Sequence, residues 1–210
     1  FYEDYYDDSK NFIEFIKEKI NEIIISIDDE TAIFESGYKP WLSKWRDKIC
    51  WDYSDRYSDY LLSVKDWSLG TVKDIQSITD DILDHCGNPM EKTDFSVKGL
   101  VVGDIQSGKT ANYTGLINKA IDAQYKLIIV LAGLTNDLRS QTQKRLDKEV
   151  LGYETKPNIQ RGEPIGVGKV SSQTDFVTCL TQSDISGDLK KLYHSVPLSE
   201  NHPAVMFVVK

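Results

Sequence analysis

The chain has 210 residues, of which 40% are hydrophobic and 28% charged, the balance of a soluble globular protein with room for one large domain, or a domain and an appendage. Its net charge of −8 argues against a protein whose whole surface binds nucleic acid, while leaving room for a local basic groove. No apolar stretch approaches the roughly 20 residues of a membrane span. The three cysteines, Cys50, Cys86 and Cys179, are too far apart for a C-x-x-C metal site and too few for a disulfide framework, so a cytoplasmic setting is the simplest.

Residues 1–9 are acidic and tyrosine-rich and read as a solvated terminus. Ser9 is a candidate helix cap, and Phe12, Ile13, Ile16, Ile20, Ile24 and Ile27 follow one helical face. The overlapping run Ile23–Ile27, followed by Asp28, Asp29 and Glu30, also resembles a strand ending in acids, but the longer periodicity outweighs it. Lys39-Pro40 breaks the pattern. A single helical pattern then runs from Trp41 to Leu62, and a second from Thr71 to His85, with Val72, Ile75, Ile78, Ile82 and Leu83 facing inward. Gly87-Asn88-Pro89 ends it. The aromatics Trp41, Trp45, Trp51, Trp67, Tyr53, Tyr57 and Tyr60 have two readings, base stacking and core packing, and packing is the cheaper. Residues 1–94 thus form a helical section, and residues 95–210 a second domain.

That second domain opens on Gly103-Asp104-Ile105-Gln106-Ser107-Gly108-Lys109-Thr110, which fits G-x-x-x-x-G-K-[ST]. Glycines let backbone N–H groups face an anion, Lys109 reaches the β- and γ-phosphates, and the Thr110 hydroxyl holds Mg²⁺. A helix starting there adds its positive end. Leu100, Val101 and Val102 before the loop read as a buried strand; Leu116, Ile117, Ala120 and Ile121 after it repeat at helical spacing; Lys126–Gly133 reads as a second buried strand. Together these make a βαβ unit of a parallel sheet, and hence an α/β fold.

Leu134–Leu146 reads as a loop entering a helix. Its Thr135, Asn136, Arg139, Ser140 and Gln141 are donors suited to a nucleic-acid backbone, or else a helix cap with a polar face. Residues 152–169, rich in glycine and proline, read as a long irregular loop, Thr174-Asp175-Phe176 as the start of a short helix, and Leu189–Tyr193 as another. Pro203–Lys210 reads as a final apolar strand with no element after it, which leads us to expect a longer protein. The isolated His85, His194 and His202 suggest no metal site.

The stretch Gly99–Ile117 resembles the signature of the Z-one domain proteins, a family often labelled endonucleases. The similarity continues through Tyr125–Gly133 and Leu138–Gln143, and extends to Arg56-Tyr57, Tyr60-Leu61-Leu62 and Pro203–Lys210. That family is itself similar to superfamily 2 helicases and occurs in prokaryotic restriction and anti-phage loci near partner ATPases and nucleases. The resemblance implies an incomplete RecA-like P-loop domain, with Gly103–Thr110 as helicase motif I and the Leu134–Gln143 loop, including Thr135, Asn136, Arg139 and Gln141, as the motif that touches the nucleic-acid backbone. The family's Asp-Glu motif, second RecA-like lobe and arginine finger have no match here. The expected activity is ATP and Mg²⁺ binding and hydrolysis coupled to DNA in antiviral defence. A nucleotide-gated scaffold with partner subunits, and a part of an endonuclease whose active site lies elsewhere, are the alternatives.

Overall fold

The computed structural model describes residues 38–91, 94–101, 109–156, 163–171, 177–184 and 204–210. The chain divides at Lys39, and every helix and strand among the described residues belongs to the unit Pro40–Lys210. The expected helix from Phe12 to Ile27, its acidic end, the helix start at Thr174–Phe176 and the stretch Leu189–Tyr193 lie outside the described residues.

From Trp41 to Leu62 the sequence contains neither glycine nor proline, and its periodicity predicts one helix. The structure breaks it. A short helix α1 (Leu42–Trp45) runs into a 3₁₀ turn (Arg46–Lys48), the chain opens at Ile49, and α2 (Asp52–Ser63) starts afresh. Neither helix is capped by a side chain of its own N-cap residue. Distant carboxylates do the capping. Asp84 Oδ1 accepts from the N–H groups of Trp41 (2.8 Å) and Leu42 (2.6 Å). Asp122 accepts from Tyr53 N (3.0 Å) and Ser54 N (2.8 Å). Each carboxylate satisfies two of the donors that a helix start leaves orphaned.

The helix α3 (Leu69–His85) is capped locally, Ser68 Oγ accepting from Thr71 N. Its buried face is Val72, Ile75, Thr79 and Leu83, with Ile78 and Ile82 only half-buried. The next helix, α4 (Lys109–Asp122), packs against α2 and α3. Gly115 of α4 faces Thr79, Ile75 and Tyr57 across this crossing. Deeper along it, Lys119 Nζ, almost fully buried, donates to Gln76 O (2.6 Å) and Asp80 Oδ1 (2.5 Å), and Arg46 pairs with the other Asp80 oxygen (2.9 Å). Burial pulls the Lys119 ammonium below its ordinary range, and Asp80 opposes that pull.

A tight turn through Gln124 (φ +73°) leads into β1 (Leu127–Leu131). After α5 (Asn136–Leu146) and a π-helical turn (Asp147–Leu151) come β2 (Val177–Cys179) and β3 (Ala204–Val209). The three strands form a parallel sheet in the order β1-β3-β2, with Leu127 opposite Val205 and Val177 opposite Ala204. The fold is therefore α/β with a small parallel sheet. One face, carrying Met206 and Val208, is buried under Ile117, Ile121, Leu146 and Val150. On the other face Leu127, Ile129 and Leu131 are 42%, 51% and 78% exposed, so β1 is not the doubly covered strand that its apolar run predicts.

One further expectation is corrected. Leu100 and Val101 are 76% and 59% exposed and lie outside the sheet, so the strand expected there is not formed over these residues. A three-residue apolar run has no intrinsic strand stability; the ladder and a covered face supply it. In the glycine-rich region, the described residues are tightly built. Gly152 takes the left-handed conformation (φ +82°) that ends the π turn, and a Cβ on Gly168 would strike the Gly152 carbonyl oxygen.

A buried polar chain joins these parts. Asp147 accepts from Gln143 Nε2, Thr155 N and Thr155 Oγ1, each at 2.8 Å. Thr181 Oγ1 donates to Gln143 Oε1 (2.6 Å) and accepts from Val208 N (2.9 Å), which ties α5 to the central strand.

Two predictions follow from this packing. Gly168→Ala lowers stability by roughly 2 kcal/mol or more in urea denaturation, because backbone must move to admit the methyl group. Burial, with the like charges of Asp52 and Asp55, raises the Asp122 carboxyl from 3.8 to about 7, against the pull of the two N–H groups. A raised carboxyl pKa favours the fold fully below about pH 4, and that contribution is lost as pH rises to about 7. Asp122→Asn removes this titration, so its stability relative to the parent rises between those pH values; a pH-independent difference in denaturation midpoint would refute the assignment.

Candidate functional site

Lys109 and Thr110 are the first two residues of α4. The loop residues Gly103, Asp104, Ile105, Gln106, Ser107 and Gly108 lie outside the described residues. What the structure supplies is the support behind the loop. Ile117 and Ile121 rest on the covered sheet face, and the short turn at Ala123–Lys126 sends the chain back into β1. So α4 runs antiparallel to β1, with its N-terminus at the carboxyl end of the parallel strands. That is where open α/β sheets bind ligands. The first N–H groups of a helix have no intrahelical acceptor, and the helix dipole adds positive potential there.

Thr110 is half-buried, and Ala111 is buried against Tyr57, Tyr60 and Val167. The start of α4 is thus seated on α2 rather than projecting into solvent. The Lys109 side chain, like the loop before it, lies outside what the structure describes, and Thr110 is the one motif side chain it places. Among the described residues there is no group of three or more His, Cys, Asp or Glu side chains arranged to hold a metal. All three thiols are pushed up, Cys50 by its bond to and charge of Asp52, Cys86 and Cys179 by burial.

The same carboxyl edge gathers the α5 start and the end of β3. Ala132 N donates to Val209 O (2.8 Å), and Lys210 Nζ donates to Asn136 Oδ1 (2.8 Å). Thr135, Asn136 and Gln141 are exposed. Thr135 is the N-cap of α5, its hydroxyl accepting from Leu138 N (3.2 Å). Sequence reasoning did not single out Lys210; its signal was its place at the end of an apolar strand.

Arg139 is a correction. It is 0% exposed, and its guanidinium donates to Gln182 O (3.0 Å) and to Asp184 O. Ser140 is buried as well and donates to Ser183 O (2.6 Å). Both side chains hold the segment after β2 against α5 and are not available to a nucleic-acid backbone. The aromatic residues also resolve as packing: Trp41, Tyr53, Tyr57 and Tyr60 are buried, and Trp45, Trp51 and Trp67 pack against the same clusters.

No helix among the described residues is long and apolar enough to cross a membrane. Compared with models of known protein families, with curated proteins and with solved structures, the chain matches none of them.

Arg139→Ala leaves buried carbonyls without donors and costs roughly 2–4 kcal/mol of stability, whereas the exposed Gln141→Ala stays within about 0.5 kcal/mol. Urea denaturation of the two variants checks this, and equal midpoints would contradict the structural role.

Proposed function

We propose that the chain is the nucleotide-binding part of a helicase-like P-loop ATPase of the Z-one type, binding ATP and Mg²⁺ at Gly103–Thr110 and acting on DNA in prokaryotic antiviral defence. The observation that carries the reading is the junction of motif and fold. The G-x-x-x-x-G-K-[ST] residues run directly into α4, and α4 returns into a strand of a parallel sheet. In this reading backbone N–H groups of residues 104–110 cradle the phosphates, Lys109 neutralises developing charge on the γ-phosphate, and Thr110 holds the metal ion. The finer RecA-like fold requires Leu100–Val102 to enter the sheet as a further parallel strand. Among the described residues β1 and β2 each pair on one side only, which leaves a sheet edge for such a strand.

A second reading is a nucleotide-gated switch that orders an assembly with partner subunits. The burial of Arg139 and Ser140 favours it, because it removes two of the donors that a DNA contact in this loop would use.

Lys109→Ala in the full-length protein is expected to lower ATP turnover by on the order of 100-fold or more. Unchanged turnover would sink the P-loop reading. Measuring the parent rate with and without duplex DNA separates the two forms: stimulation marks a DNA-coupled ATPase, and ATP binding without stimulation marks the switch.

A further inference from the structure

The exposed side of α5 carries cations that the fold does not use. The helix buries Arg139, Ser140, Gln143 and Leu146. Gln141, Lys144, Arg145 and Lys148 stand at i, i+3, i+4 and i+7, so they share one face, and all four are exposed. Lys148 already belongs to the π turn, and the 3₁₀ turn Gly166–Lys169 packs there: a Cβ on Gly166 would strike the Lys148 carbonyl oxygen. That turn ends on a further exposed cation, Lys169. Among the described residues none of Lys144, Arg145, Lys148 and Lys169 takes part in a salt bridge. Most acids of the same stretch are engaged elsewhere. Asp147 is buried in its hydrogen bonds, Glu149 is buried and pairs with Lys65 (3.5 Å), and Glu154 pairs with Lys156 (2.7 Å). Asp137, at the far end of α5, and Glu163 are exposed. In a chain of net charge −8 this surface is a local exception. Lys144 and Arg145 complement the negative end of the α5 dipole, but a dipole does not account for four cations drawn from two segments.

We propose that this face, with Lys144, Arg145, Lys148 and Lys169, is a contact for duplex DNA that holds the phosphate backbone without reading sequence. It deepens the DNA-coupled reading above and uses no residue of the nucleotide loop. Arg139 and Ser140, the buried donors, lie on the other face of the same helix. Three features choose the partner. Gln141 to Lys148 spans about 10 Å along a helix axis, and a duplex strand carries a phosphate about every 3.4 Å, so the stripe faces about three phosphates of one strand. No aromatic residue occurs between Gln141 and Lys148 to stack a base, as single-strand sites do. No large apolar side chain is exposed there to enter a bilayer either.

Fluorescence anisotropy of the full-length protein with a labelled duplex of mixed sequence, over a range of salt, tests this. The parent slope of log K against log salt is expected at about −3 or steeper, and a slope near zero overturns the proposal with no variant involved. The triple variant Lys144→Gln, Arg145→Gln, Lys148→Gln should bind at least about tenfold more weakly, with a slope shallower by about 2–3. Lys144→Arg with Lys148→Arg keeps the charge and should keep the parent affinity. Lys44→Gln, Lys48→Gln, Lys73→Gln removes as much charge from exposed positions of the helical section and should bind as the parent does; an equal loss in the two triple variants overturns the proposal. Parent-like affinity in the α5 variant also overturns it and leaves the DNA-coupled reading standing, as does stripe-dependent binding confined to single strands. No binding by the parent protein to DNA, or binding only to vesicles of anionic phospholipid, overturns the proposal and the DNA-coupled reading together, while the P-loop reading is judged separately by ATP turnover.

Discussion

The buried Asp122 carboxylate ties the head of α2 to the end of α4. Asp122 lies at the end of α4 and holds the first N–H groups of a helix 69 positions earlier in the chain. That contact gives α2 its capped start, beside the buried cluster that Tyr53 shares with Ile117 and Met206. The cost is the burial of a charge, which the two N–H groups only partly offset, so the carboxyl titrates near neutrality. A buried carboxylate with two N–H partners is a more specific constraint than an apolar contact, because it is satisfied in one geometry only. The same logic recurs at the half-buried Asp84, which accepts from two backbone N–H groups over 40 positions away, and in part at the buried Asp147, which accepts from Thr155 N, Thr155 Oγ1 and Gln143 Nε2.

These acids make α4 the organising element. Its flanks pack on α2, α3 and the sheet, and Lys119 and Asp122 fix its rotation through polar contacts. A helix held at several points positions its own N-terminus well, and that N-terminus carries Lys109 and Thr110. The stability of the helical section and the placement of the candidate phosphate site are therefore one problem.

On the other side of the site, α5 spends its polar residues on structure. Arg139, Ser140 and Gln143 all bond to the segment at Cys179–Asp184, and Thr181 passes the contact to the central strand. A row of polar side chains on a helix looks the same in sequence whether it faces solvent, DNA or a buried loop. Here the loop takes one face and leaves Thr135, Asn136 and Gln141 outside.

Several features were legible from the residues alone. The α/β character, the helix at Thr71–His85, the helix from Lys109 and the final apolar strand all follow from spacing and composition, because they rest on local periodicity. What local periodicity cannot carry is the choice between satisfied alternatives. Whether Trp41–Leu62 is one helix or two depends on an acceptor at Asp122. Whether Leu100 and Val101 form a strand depends on a partner edge. Whether Arg139 meets solvent depends on the carbonyls of Gln182 and Asp184. Each of these was decided by a group distant in sequence, since hydrogen-bond satisfaction and burial are properties of the assembled chain and not of the segment.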